Sequence, residues 1–223
     1  MGDISVGRTP TAVLFDYGGV LTTPVRHSID AWLRRDGIRP ATFSRVLKAW
    51  MSRSARGGTP VHLLETGEMP VEEFERRMAA ELVTHDGSPV VAEGLLDRLF
   101  GEMRADAQMI ALVRDLRALG IRTVLLSNSW GNTYPRRLLA ELFDAVVISG
   151  EVGLRKPDPR IYRLALEQAG AAADEAVFVD DAQPNVSAAA TLGLHAVLHV
   201  DPSRTREQLA ALMPGLADEP AGT

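Results

Sequence analysis

Six polar side chains stand where chemistry could be done, each just past a run of strand-forming residues. Asp16 follows the apolar run Thr11 to Phe15, and Ser127 and Asn128 follow Ile121 to Leu126. Lys156 lies in the loop beyond Ala145 to Ile148, and Asp180 and Asp181 close the run Ala176 to Val179. Three carboxylates brought to one edge repel each other. A hard divalent cation that accepts oxygen ligands and keeps some of its water relieves that repulsion, which describes Mg2+. Such a cation also recruits phosphate. A phosphoryl group placed there meets the Ser127 hydroxyl, the Asn128 amide and the Lys156 ammonium, while Asp16 is the carboxylate that attacks phosphorus; water then cleaves the acyl phosphate. Lys48 and Lys156 are the only lysines in the 223-residue chain, so chemistry that needs an ammonium has two candidates, of which Lys48 reads as a surface residue.

These residues work together only if the strands that carry them are neighbours. From Met109 onward helical and strand-like stretches alternate: helix to Leu119, strand Ile121 to Leu126, helix Pro135 to Phe143, strand Ala145 to Ile148. Helix Pro159 to Ala169, strand Ala176 to Val179, helix Pro184 to Leu192, strand His195 to Val200 and helix Arg204 to Met213 complete the series. Alternation of this kind predicts a parallel sheet with helices on both faces, an α/β doubly wound (Rossmann-like) core, whose ligands bind beyond the carboxyl ends of the strands. Between Pro24 and Asp106 no strand pattern occurs. That stretch reads as amphipathic helices broken by glycines, such as Val71 to Leu82, where Phe74, Met78 and Leu82 recur at four-residue spacing. The expected organisation is therefore a core of residues 1–23 and 107–223 with a helical cap, 24–106, inserted after the first strand. The tail Asp218 to Thr223 reads as frayed.

Four ordered motifs make the chain resemble the haloacid dehalogenase-like (HAD) hydrolase superfamily, in its helical-cap branch, and within it phosphatases similar to the phosphatase domain of soluble epoxide hydrolase. They are Asp16-Tyr17-Gly18-Gly19-Val20-Leu21, Leu125-Leu126-Ser127-Asn128, Gly153-Leu154-Arg155-Lys156-Pro157-Asp158, and Val179-Asp180-Asp181 with Asn185 following. The resemblance implies a Mg2+-dependent hydrolase in which Asp16 is the nucleophile and Ser127 and Lys156 are catalytic. It places Asn128 and Gly19 against the substrate. The metal would be held by Asp16, the backbone carbonyl of Gly18, Asp180 and Asp181.

One position departs from the pattern. Phosphatases of this superfamily usually carry a second aspartate two residues after the nucleophile, which protonates the leaving alcohol; here that residue is Gly18. General acid assistance is worth roughly 10²- to 10⁴-fold, so its loss biases the enzyme towards good leaving groups, with Tyr17, His27 or another cap-side group as replacement acids. The expected substrate is a small phosphorylated metabolite, a phosphate ester or anhydride.

Composition limits the rivals. Twenty-nine acidic against 24 basic residues, net charge −5, provide no broad basic face, so no nucleic acid is expected as a partner. With no cysteine, thiol nucleophiles and thiolate zinc sites are excluded; together with the absence of a long apolar run, this predicts a cytoplasmic protein with no membrane partner. A metal-independent 2-haloacid dehalogenase also lacks the second aspartate, but the Asp180-Asp181 pair argues for a cation. A phosphonate-cleaving enzyme would need a cap lysine, and the surroundings of Lys48 do not match. A third alternative is a catalytically weak phosphate-binding or regulatory domain. Taken singly, an aspartate after a strand is more often a turn or helix cap. His195 and His199 read as ordinary strand histidines, and Trp50 and His62 as cap residues that could line a cavity.

Overall fold

In the computed structural model, residues 9–51, 58–131 and 133–216 are described. The frayed tail expected at 218–223 lies outside them. The core is a sheet of β1 (Ala12–Phe15), β2 (Arg122–Ser127), β3 (Ala145–Ile148), β4 (Ala176–Asp180) and β5 (His195–Leu198). All pairings are parallel, in the order β3-β2-β1-β4-β5. β1 and β4 are wholly buried, which is why AVLF and AVFVD read as near-continuous apolar runs instead of alternating ones.

Successive side chains feed opposite layers. Val13, Phe15, Leu125, Val177 and Val179 pack with α6 (Ala107–Ala118), α7 (Arg136–Leu142) and α11 (Pro202–Leu212). Ala12, Leu14, Val124, Leu126 and Phe178 pack with α9 (Pro159–Ala169) and α10 (Gln183–Thr191) on the other face. The doubly wound sheet expected from the alternation is thus present. Its strand order reverses between β1 and β4, the switch point at which open α/β sheets bind ligands. Element ends shift by a residue or two where caps decide them. Asp106, for example, accepts from the backbone N–H groups of Gln108 and Met109 and starts α6 at Ala107, two residues ahead of Met109.

Among the described residues, the helices between β1 and α6 are α1 (Val25–Arg35), α2 (Pro40–Trp50), α3 (Pro60–Glu65), α4 (Val71–Glu81) and α5 (Leu95–Phe100). They enclose an apolar cluster of their own, including Trp32, Phe43, Phe74, Met78 and Leu95. Phe74 and Met78 of α4 face it as their spacing predicts, and so does Leu82, the extended residue just past the helix end. Glu75, on the same helix, is buried for another reason: its carboxylate accepts from the backbone N–H groups of Gly94 and Leu96, since the glycine that begins α5 has no side chain to cap it. The chain leaves and returns at one point, where Thr22 and Ala105 form an antiparallel bridge and Asp106 N–H donates to Leu21 O at 2.9 Å.

Gly67, after α3, meets α8 (Ser149–Val152) backbone to backbone. Its φ is +76° and a Cβ there would lie 2.6 Å from the Gly150 carbonyl oxygen. Gly67→Ala should therefore cost at least about 2 kcal/mol in urea unfolding, against about 1 kcal/mol for Gly37→Ala, where φ is +64° but nothing lies within 4 Å. Equal costs would show that the contact does not constrain the glycine.

Candidate active site

Asp16 leaves the end of β1 with its backbone N–H donating to Val179 O of β4 at 2.9 Å, so its side chain emerges at the switch point. Lys156 is 1% exposed and its Nζ bridges Asp16 Oδ1 and Asp180 Oδ2, each at 2.7 Å, with its ammonium 5.4 Å from the centre of the Phe178 ring. Burial alone would push the Lys156 pKa down, yet the two carboxylates hold it above the ordinary lysine value. The pairing favours its charged form.

The remaining groups position this pair. Asp180 also accepts from Ala182 N–H at 2.7 Å and from the Asn185 amide, 3.1 Å to each oxygen. The Asn128 side chain donates to Lys156 O at 3.0 Å and accepts from Lys156 N–H at 2.8 Å, so both ends of its amide fix the lysine's backbone. Ser127 is buried and its hydroxyl lies 2.9 Å from Tyr134 OH. Gly19 has φ +79°, and a Cβ there would run into the Asp181 carboxylate.

Asp16, Asp180 and Asp181 each offer an oxygen, and these oxygens lie within 4.8 Å of one another, close enough to share one divalent ion. The electrostatics point the same way. Burial, with Asp180 and Asp181 adding to it and Lys156 opposing, raises the Asp16 pKa from 3.8 to about 7, and burial beside Asp180 raises Asp181 too. One ammonium is insufficient for three crowded carboxylates, so the residues fit a cation.

A family model described as haloacid dehalogenase-like hydrolase matches residues 10–193. The chain belongs to that family. Among related proteins, the bifunctional epoxide hydrolase 2 of Sus scrofa is 26% identical over 213 residues, 89% of this chain. The chain spans only 38% of that relative's length. A phosphoglycolate phosphatase of Pseudomonas syringae pv. tomato is 25% identical over 244 residues, covering 95% of this chain and 82% of the relative. A HAD-family enzyme of Bacteroides thetaiotaomicron, solved with magnesium and inorganic phosphate, superposes with a TM-score of 0.63 at 20% identity over 86% of this chain and 94% of its own.

In this HAD-like protein the six residues singled out by strand position, together with Gly18 and Gly19, do come to one edge of the sheet. Other expectations separate. Tyr17 lines the cavity above Asp16, whereas His27 is exposed on α1 outside its lining. Trp50 packs edge-on against Phe74, and neither it nor His62 lines that cavity. Lys48 is exposed. His199 hydrogen-bonds through Nδ1 to Thr205 Oγ1 at 2.8 Å, a structural link from the end of β5 to α11.

Two contacts had no signal in the sequence. Tyr134 rests edge-on against Tyr17, ring centres 5.0 Å apart, and reaches Ser127; burial pushes its phenol up to about 12. Glu65, at the end of α3, is buried where it accepts from Trp130 Nε1 at 3.0 Å and pairs with Arg155 Nε. The Glu65 and Arg155 partners are 90 residues apart and no local pattern links them.

Proposed function

We propose that this HAD-like hydrolase is a Mg2+-dependent phosphatase that works through an aspartyl phosphate on Asp16, with the helical segment 24–106 as its cap. The observation that carries this reading is the buried Lys156 ammonium bridging Asp16 and Asp180, with Asp181 near enough to share a cation with both. Asp16, Asp180, Asp181 and the Gly18 carbonyl would hold Mg2+, which when bound neutralises crowded carboxylates and phosphoryl charge. Asp16 attacks phosphorus in line with the leaving oxygen, and Lys156 and the Ser127 hydroxyl stabilise the charge that develops on the phosphoryl oxygens. Asn128 acts through its side chain by holding Lys156 in place, and Gly19 leaves room for Asp181 beside the phosphoryl group. Water then hydrolyses the aspartyl phosphate and frees Asp16. The phosphatase named among the relatives supports phosphorus over carbon as the electrophile. A cytoplasmic setting accords with the absence of any helix, among the described residues, long and apolar enough to cross a membrane.

No carboxylic acid stands at position 18 to protonate the leaving alcohol, so activated esters and anhydrides are the favoured substrates. The test is phosphate release from a panel of aryl, acyl and alkyl phosphates with Mg2+ and with a chelator. Release that is indifferent to chelation would overturn the metal dependence. Gly18→Asp should raise turnover of simple alkyl phosphates about 10²-fold and that of p-nitrophenyl phosphate far less. The backbone at position 18 is not in the left-handed region, and the new Cβ would lie 3.3 Å from Val25 Cγ2, which a small shift of a side-chain tip relieves. Unimproved alkyl turnover in a folded variant would refute the assignment of that position.

A further inference from the structure

Resting on the phosphatase reading, we infer that the leaving group this enzyme accepts is a bulky, uncharged, apolar ring or chain and not a small anionic metabolite. Asp16, Ser127 and Lys156 form only the floor of a much larger cavity of about 670 Å³, a volume typical of sites for drug-sized ligands. A phosphoryl group fills a minor part of it. The walls above the floor come largely from the helical segment and carry Ile29, Leu47, Met51, Phe100 and Met103, joined by Trp130 from the loop after β2. Ile29, Leu47, Phe100 and Trp130 rest against the cluster inside the helical segment with only part of their surface, and Met51 is 50% exposed; none of the six is fully buried, so each still presents apolar surface to whatever enters.

Charge on the walls argues the same way. A leaving group bearing a carboxylate requires a free cation. Among the described lining residues the basic side chains are Arg155 and Lys156. Lys156 is held between Asp16 and Asp180, and Arg155 is paired with the buried Glu65, whose other contact is Trp130. Asp97, at the exposed rim, would repel an anion. An apolar body, by contrast, gains from every square ångström it removes from water against these side chains.

Phosphate release by the 223-residue chain with Mg2+ tests this on substrates matched in leaving-group acidity. Phenyl and 1-naphthyl phosphate leave as phenols of similar acidity and differ in apolar size; kcat/KM should favour 1-naphthyl phosphate about tenfold. n-Octyl phosphate should likewise exceed phosphoglycolate. In Leu47→Asn the naphthyl-to-phenyl ratio should fall towards one, and quenching of tryptophan fluorescence by 1-naphthol in the unaltered protein, with half-saturation at lower concentration than phenol, gives a readout that needs neither turnover nor a variant. A naphthyl-to-phenyl ratio at or below one, phosphoglycolate turned over faster than n-octyl phosphate, or phenol bound as tightly as 1-naphthol would overturn the inference while leaving the phosphatase reading intact. Failure to hydrolyse even p-nitrophenyl phosphate with Mg2+ would remove both.

Discussion

Replacing Asp16 by asparagine is expected to abolish phosphate release and, in the absence of Mg2+, to make the protein more stable at pH 8. The first effect follows from the nucleophile: an amide oxygen cannot form the acyl phosphate, and losing a covalent nucleophile costs roughly 10⁴-fold or more in kcat. The second follows from the raised pKa. Asp16 titrates near 3.8 when unfolded and near 7 when folded, so between these values the folded state holds the extra proton. Stability from this group is fully present below about pH 4 and is lost as pH rises through 7. Asparagine removes that loss. Urea unfolding of both proteins with a chelator, at pH 5 and pH 8, reads the effect: the two midpoints should differ at pH 8 and approach each other at pH 5. Mg2+ should flatten the pH dependence of the unsubstituted protein. Turnover within tenfold of normal in Asp16→Asn would end the nucleophile assignment. An unchanged midpoint at pH 8 would instead show that the site already tolerates the charge.

Lys156→Met should be nearly as damaging, for a different reason. Methionine fills a similar volume in a slot that is 1% exposed, but Asp16 and Asp180 are then left buried and facing each other without their shared ammonium. Removing one partner from a buried ion pair costs about 3 to 5 kcal/mol, most of it from the charge left unpaired. Unfolding midpoints should drop accordingly at pH 8, and saturating Mg2+ should recover part of the stability while restoring little activity. Turnover should fall by about 10³-fold because a preorganised cation beside the phosphoryl oxygens is lost. Lys156→Arg should not rescue it, since the planar fork of a guanidinium does not fit between two carboxylates each 2.7 Å from Nζ. A stable, active Lys156→Met protein would show the lysine to be structural decoration.

The apolar runs of β1, β2 and β4, and the polar residues just past them, were legible because burial of a parallel sheet on both faces imposes a local pattern that each strand carries by itself. Helix α4 was legible for the same reason, through the four-residue spacing of Phe74, Met78 and Leu82. That Gly18 stands where the family pattern has a second aspartate was legible because a position within a motif needs no tertiary information. Strand order is not local. Only the folded chain sets β4 against β1, and with that the Asp180 carboxylate against the lysine that Asp16 also holds. Asn128 shows the difference: its place beyond β2 suggested a phosphate ligand, but the loop carrying Lys156 closes on both ends of its amide. Tyr134 over Ser127, Glu65 against Arg155 and the apolar walls above Asp16 likewise join residues far apart in the chain. The sequence by itself determined which residue types stand at the strand ends and which faces must be buried, since these follow from local spacing and the cost of exposing apolar surface. The tertiary structure alone decided which charges are paired, which basic groups are already occupied and how large a space remains over Asp16, because pairing and volume depend on how distant segments pack together.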